Sequence, residues 1–323
     1  MLTEKYRPKS FAEIYGHKRI IESFRSFVKD HEMPNILLVG KNGVGKTAVA
    51  RAMAWELGVI NADPEVGTRD FLEINASEER GIETIREKVM GFARMKAINP
   101  VGWKICLLDE ADGITKVAQQ SLRKVMEQNA KSVRFILTSN DLSKISEALQ
   151  SRCSIYMFQG VHFTQIEALI KDVAFKEKQT FLSDFVVKAI REISRGDARK
   201  ALNTLEAILT LDNPTVEDVF QLAGAASEDN VWRLIYGALG GHMSSLQVLS
   251  GILDAGTDST DVINLIYHGS VRNTIPRLSS SQRLVLLNAV GSVPGSTDDQ
   301  RLGGIIARVI QTVGPVEAGG EEQ

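Results

Sequence analysis

Eight consecutive residues, Gly40-Lys41-Asn42-Gly43-Val44-Gly45-Lys46-Thr47, carry the spacing G-x-x-x-x-G-K-[ST]. They follow the apolar run Ile36-Leu37-Leu38-Val39 and lead into the helix-forming stretch Ala48-Val49-Ala50-Arg51-Ala52-Met53-Ala54. A strand, a glycine-rich turn and a helix in that order make a phosphate cradle. Glycines let backbone N–H groups curl around anionic oxygens, and the helix N-terminus adds partial positive charge. Asn42, Gly43, Val44, Gly45, Lys46, Thr47 and Ala48 are the expected contacts. Lys46 would neutralise the β- and γ-phosphates while the Thr47 hydroxyl ligates Mg²⁺.

Such a cradle needs a sheet behind it. Apolar runs recur at residues 71–75, 103–108 and 133–138, separated by helical stretches including an amphipathic one at 18–29. Short β-branched strands alternating with helices predict a parallel sheet covered on both faces. Residues 61–70, with a Pro and a Gly, read as a surface loop. Beyond Phe158-Gln159-Gly160 the pattern turns helical: 162–178, 183–194, 196–211 and 215–223, then 228–239, 243–255, 260–272, 281–290 and 297–313. The Gly/Glu-rich residues 314–323 read as a disordered tail.

The 323 residues suffice for two or three domains. A net charge of −2 provides no global field towards nucleic acid, so any DNA contact must be local. Cys106 and Cys153 lack metal-ligand spacing and read as buried thiols in a reducing compartment. Residues 1–8 do not read as a signal peptide, and no apolar run approaches a membrane span. The expectation is a cytoplasmic protein.

Three further segments carry candidate chemistry. Ile105-Cys106-Leu107-Leu108-Asp109-Glu110 is an apolar strand ending in two carboxylates. Asp109 can hold Mg²⁺, and Glu110 is then placed to orient an attacking water. Asn140 closes Arg134-Phe135-Ile136-Leu137-Thr138-Ser139. It is either a γ-phosphate contact at the ligand-binding edge of the sheet or a strand-ending turn residue. Arg152, in Ser151-Arg152-Cys153, is either a solvated surface cation or a finger reaching a neighbour's γ-phosphate.

Taken with Glu4-Lys5-Tyr6-Arg7-Pro8, Asn75-Ala76-Ser77-Glu78-Glu79-Arg80-Gly81-Ile82, Asp109-Glu110-Ala111-Asp112 and Gly196-Asp197-Ala198-Arg199-Lys200-Ala201-Leu202-Asn203, this ordered set resembles the AAA+ clamp-loader ATPases. The likeness is greatest to the archaeal replication factor C small subunits and runs from about residue 2 to 313. It implies an α/β P-loop AAA+ domain at 1–160, an all-α lid at 161–226, an all-α collar at 227–313 and a tail at 314–323. It implies ATP flanked at the adenine by Tyr6, Arg7, Pro8, Tyr15 and Gly16. Asn140 and Arg199 would be the two phosphate sensors, and Arg152 the finger acting in trans. The segment 119–127 resembles the part that links DNA contact to the catalytic glutamate. By itself it reads as an amphipathic helix with a charged outer face.

The resemblance also implies partners: a large subunit and other small subunits in a pentamer, the sliding clamp PCNA, and primer–template DNA. Arg80, Gly81, Ile82, Arg86 and Lys88 would meet DNA at a helix start. Read alone, Arg86 and Lys88 are ordinary partners of Glu83 and Glu87. Residues 90–96 are a clamp-contact candidate or core. Lys41, Asn42 and Val44 depart from the family's Gly-Pro-Pro-Gly-Thr-Gly-Lys-Thr, and Thr138-Ser139-Asn140-Asp141 from its usual Cys-Asn-Tyr. Both hint at a divergent small subunit standing beside another. The rival readings are a Holliday-junction motor or replication initiator, which would need a C-terminal winged helix, and a subunit that holds nucleotide without turning it over.

Overall fold

The computed structural model describes all residues except 62–67, 78–81, 179–180, 223–227, 255–257, 273–274, 276–277, 296 and 314–323. The proposed tail thus lies outside the described residues. The chain divides into two compact units, Met1–Leu209 and Thr210–Gln323. The sequence reading draws its lines instead at 160, 226 and 313.

The first unit begins with α1 (Leu2–Lys5) and α2 (Lys18–Asp30) and then alternates strand and helix. In order these are β1 (Ile36–Val39), α3 (Lys46–Glu56), β2 (Phe71–Asn75), α4 (Ile82–Arg94), β3 (Lys104–Asp109), α5 (Lys116–Gln128), β4 (Val133–Ser139), α6 (Glu147–Gln150) and β5 (Ser154–Met157). The five strands pair in the order β2-β3-β4-β1-β5, each pair parallel.

The two-residue period of a strand sorts its side chains between two cores. Ile36, Leu38, Ile105, Leu107 and Ile136 pack with Phe24 of α2 and Ala50 and Met53 of α3. Their neighbours Leu37, Val39, Cys106, Leu108, Phe135 and Leu137 pack with Ile85 and Val89 of α4 and Leu122, Val125 and Met126 of α5. The result is the expected α/β/α sandwich. Burial pushes the Cys106 thiol far above its ordinary range and the half-buried Cys153 thiol up to about 12.

Strand β5 is an element the sequence reading does not name. As the outer strand it is only half covered, with Ile155 and Met157 exposed, so it lacks the continuous apolar run of its neighbours. The unit closes with α7 (Phe163–Lys178), α8 (Asp184–Ser194) and α9 (Ala198–Ile208), which pack on one another, α1 lying against α9. Ser183 and Asp197 cap α8 and α9 through their side-chain oxygens.

The second unit is helical among its described residues: α10 (Val216–Leu222), α11 (Glu228–Leu239), α12 (Ser245–Asp254), α13 (Ser259–Arg272), α14 (Ser280–Ser292) and α15 (Asp298–Val313). Leu234, Ile235, Ile266, Leu286, Leu302, Ile305 and Val309 form its core. The strand pair of a winged helix is not found among those residues. No helix of the described residues is long and apolar enough to cross a membrane.

The reading of 61–70 as surface loop needs correction at its end. Asp70 is fully buried, and its Oδ2 accepts from the Ile98 and Asn99 backbone N–H groups and from Asn99 Nδ2 at 2.7–2.9 Å. It pins the turn leading into β3. Of residues 90–96, Phe92 is core and Met95 exposed, and the carbonyls of both accept from the buried Lys104 ammonium. The outer face expected of 119–127 does not include Gln119. It is buried, donates to the Ile114 and Lys144 carbonyls, and accepts from Ser146 N at 2.7 Å. Asp70→Ala leaves three donors without their acceptor at about 1 kcal/mol or more each. Urea denaturation should show a loss of about 3 kcal/mol.

Candidate nucleotide site

Parallel pairing brings the carboxyl ends of the strands to one edge. Val39 lies opposite Ser139, and Leu108 opposite Leu137. Because β4 sits between β1 and β3, Asn140 emerges between the glycine loop that follows β1 and Asp109 at the end of β3.

Hydrogen bonds join the three. The Lys46 ammonium donates to the Gly40 and Lys41 carbonyls at 2.6 and 2.9 Å and to Asn140 Oδ1 at 3.0 Å. Thr47 and Thr138 each donate a hydroxyl to Asp109 Oδ1, at 2.9 and 2.5 Å. Thr138 Oγ1 also accepts from the backbone N–H of Glu110 at 3.0 Å, and Asp112 Oδ1 accepts from Asn140 N at 3.3 Å. Glu110 itself is exposed and takes a left-handed backbone, φ 55°, rare outside glycine. Burial lowers the Lys46 pKa, against the upward pull of Asp109 and Asp112.

Gly43 and Gly45 both have positive φ, 72° and 98°. A methyl group on Gly43 would also strike the Asp197 carboxylate, 1.8 Å from its Oδ1. The Gly43 carbonyl accepts from Ala198 N at 3.0 Å. The first turn of α9 thus rests on the loop and brings Arg199 to the same cavity.

That cavity has a volume of about 950 Å³. Tyr6, Arg7, Pro8, Tyr15, Asn42, Gly43, Val44, Gly45, Lys46, Thr47, Ala48, Asp109, Glu110, Asn140 and Arg199 all line it. Gly16 falls between two lining residues, Tyr15 and His17. A loop with glycines at 40, 43 and 45, a buried ammonium and an arginine suit a polyphosphate. Thr47 and Asp109 offer only hard oxygen donors, the set that suits Mg²⁺.

Other sequence candidates stand elsewhere. Arg152 is outside the cavity and half exposed, bonded to Glu127 Oε1 at 2.9 Å through both Nε and a terminal nitrogen. Arg86 and Lys88 are exposed on α4. Ile82 begins that helix, while Arg80 and Gly81 lie outside the described residues.

The sequence reading missed Thr138, whose polar side chain within an apolar strand was the available signal. It also missed His17. Its Nε2 lies 2.9 Å from the Val44 carbonyl, and its ring packs on Phe158 with centroids 4.5 Å apart. Phe158 in turn buttresses the loop's start, where a β-carbon on Gly40 would lie 2.4 Å from its carbonyl oxygen.

The AAA family, described as ATPases associated with various cellular activities, matches residues 36–161. A replication factor C small subunit from Thermoplasma volcanium is 35% identical over 314 residues, covering 95% of this chain and 96% of that protein. One from Aeropyrum pernix is 36% identical over 311 residues, 94% of each. The chain belongs to the replication factor C small subunit family. Its AAA match makes it an ATPase by family, and the match spans the whole sheet described above. Among solved structures it resembles the Thermotoga maritima RuvB Holliday junction branch migration motor, with a TM-score of 0.56 and 15% identity. That likeness covers 80% of this chain and 87% of that one and shows the fold alone.

His17 supplies a pH test for this family member. Burial lowers its pKa from the ordinary 6.5, so the native state favours neutral imidazole. Below about 6.5 the unfolded chain binds the proton first, and stability falls with pH until the lowered native value is passed. Denaturation between pH 7.5 and 5 should show this loss, and His17→Gln should flatten it.

Proposed function

We propose that this chain is an ATP-hydrolysing small subunit of a clamp loader. It acts in the cytoplasm with a large subunit and other small subunits in a pentamer, and places the sliding clamp PCNA on primer–template DNA. The observation that carries this reading is the division of the catalytic set. Lys46, Thr47, Asp109, Glu110, Asn140 and Arg199 share one cavity, whereas Arg152 stands on an exposed turn outside it. That position outside the cavity supports a role for Arg152 as a finger for another subunit's phosphate.

In this reading the P-loop amides and Lys46 hold the β- and γ-phosphates, and Tyr6, Arg7, Pro8, Tyr15 and Gly16 flank the adenine. Asn140 orients the γ-phosphate or the attacking water, and Glu110 polarises that water. Thr47 and Asp109 would hold Mg²⁺, which when bound neutralises charge building on the phosphate oxygens. Arg152 from the next subunit and Arg199 stabilise the same charge. Arg80, Gly81, Ile82, Arg86 and Lys88 contribute phosphate contacts to DNA at the start of α4, several such helices together giving salt-dependent binding. ATP and DNA each favour the same assembled state, which couples their effects.

Lys46→Ala should abolish ATP binding. Arg152→Ala should preserve binding yet lower assembly ATPase activity by a factor of about 10³ or more, the usual effect of losing a finger. Steady-state turnover with clamp and primed DNA, separately and together, tests the loader assignment. Clamp and DNA should stimulate most when combined, and equal activity of the Arg152→Ala assembly removes the trans role.

A further inference from the structure

The N-terminal segment has little structure of its own. Helix α1 spans four residues, too short to persist without tertiary contacts. Yet Lys5, Tyr6, Arg7, Pro8, Tyr15 and His17 all line the cavity. Two similar junctions hold this segment to α7. Tyr6 OH donates to Glu177 Oε1 at 2.7 Å, and Lys5 Nζ reaches the same oxygen at 2.6 Å. Tyr15 OH donates to Asp172 Oδ2 at 3.1 Å, and Lys176 Nζ reaches that oxygen at 2.7 Å. Each carboxylate therefore takes one phenol and one ammonium. Lys176 joins the junctions, its ammonium lying 5.8 Å from the centre of the Tyr6 ring.

We infer that these two tyrosine–carboxylate junctions make the N-terminal segment and α7 one wall of the nucleotide site, with Asp172 and Glu177 as positioning residues for Tyr15 and Tyr6. The inference rests on the nucleotide reading of the cavity. Leu169 and Val173 of α7 also line the cavity, apolar surface suited to a flat base. Burial and the adjoining carboxylates push both phenols up to about 12, which keeps them donors throughout the neutral range.

The effect on affinity follows from population. If the segment is seated for only a fraction of the time, the apparent dissociation constant rises by the inverse of that fraction. A hydrogen bond to a charged, partly exposed acceptor is worth about a threefold to tenfold change in such an equilibrium.

The experiment measures binding of a fluorescent ATP analogue to the full chain and two double-mutant cycles. One cycle uses Tyr15→Phe, Asp172→Leu and both together; the other uses Tyr6→Phe, Glu177→Met and both together. Each substitution keeps side-chain shape, and amide hydrogen exchange over residues 1–17 is followed in parallel. Each single variant should bind about threefold to tenfold more weakly, with faster exchange in 1–17, and each double should bind no more weakly than its carboxylate variant alone. Singles that bind and exchange like the parent, or losses that add in the doubles, overturn the inference. Should the parent chain bind no ATP, the nucleotide reading fails. The exchange data would then judge the junctions separately, equal exchange in parent and variants refuting them.

Discussion

Asp109 accepts a hydroxyl from either side, Thr47 at the start of the P-loop helix and Thr138 near the end of β4. That doubly bonded carboxylate oxygen locks one helix and two strands together at the edge where the cavity opens. Thr138 extends the lock to Glu110 by accepting its backbone N–H, fixing the unusual left-handed turn that carries Glu110 out of the sheet. Lys46 and Asn140 complete the arrangement one strand over. The site's order therefore depends on the parallel register beneath it, since a one-residue slip of β3 against β4 would turn these side chains to the opposite face.

How much of this could be read from the amino acids depends on the range of the interaction. The glycine spacing, the acidic end of β3 and the helical periods are local patterns, and they led directly to the P-loop and the sandwich. Strand order was not legible, because nothing in β4 announces that it inserts between β1 and β3. Strand β5 was hidden by its half-covered position at the sheet's edge. Asp70 looked like a loop residue because its partners come almost thirty positions later. The tyrosines at 6 and 15 were placed at the nucleotide by resemblance, but their acceptors on α7 lie more than 150 residues away.

Fold likeness and family membership carry different weight here. RuvB shares the architecture at 15% identity, and the small subunits share the sequence along nearly the whole chain at 35%. The P-loop, the acidic end of β3 and the polar end of β4 lie along one edge of that sheet.

The pairing of Arg152 has a consequence of its own. Glu127 Oε1 is shared with Arg123, so the guanidinium is already aligned by an anion before any encounter. Exposed, solvent-screened pairs of this kind are weak. In the proposed trans role, a phosphate from another subunit would compete with the Glu127 carboxylate in a near-balanced swap of counterions. Small changes in how closely two surfaces approach would be enough to decide which anion holds the arginine.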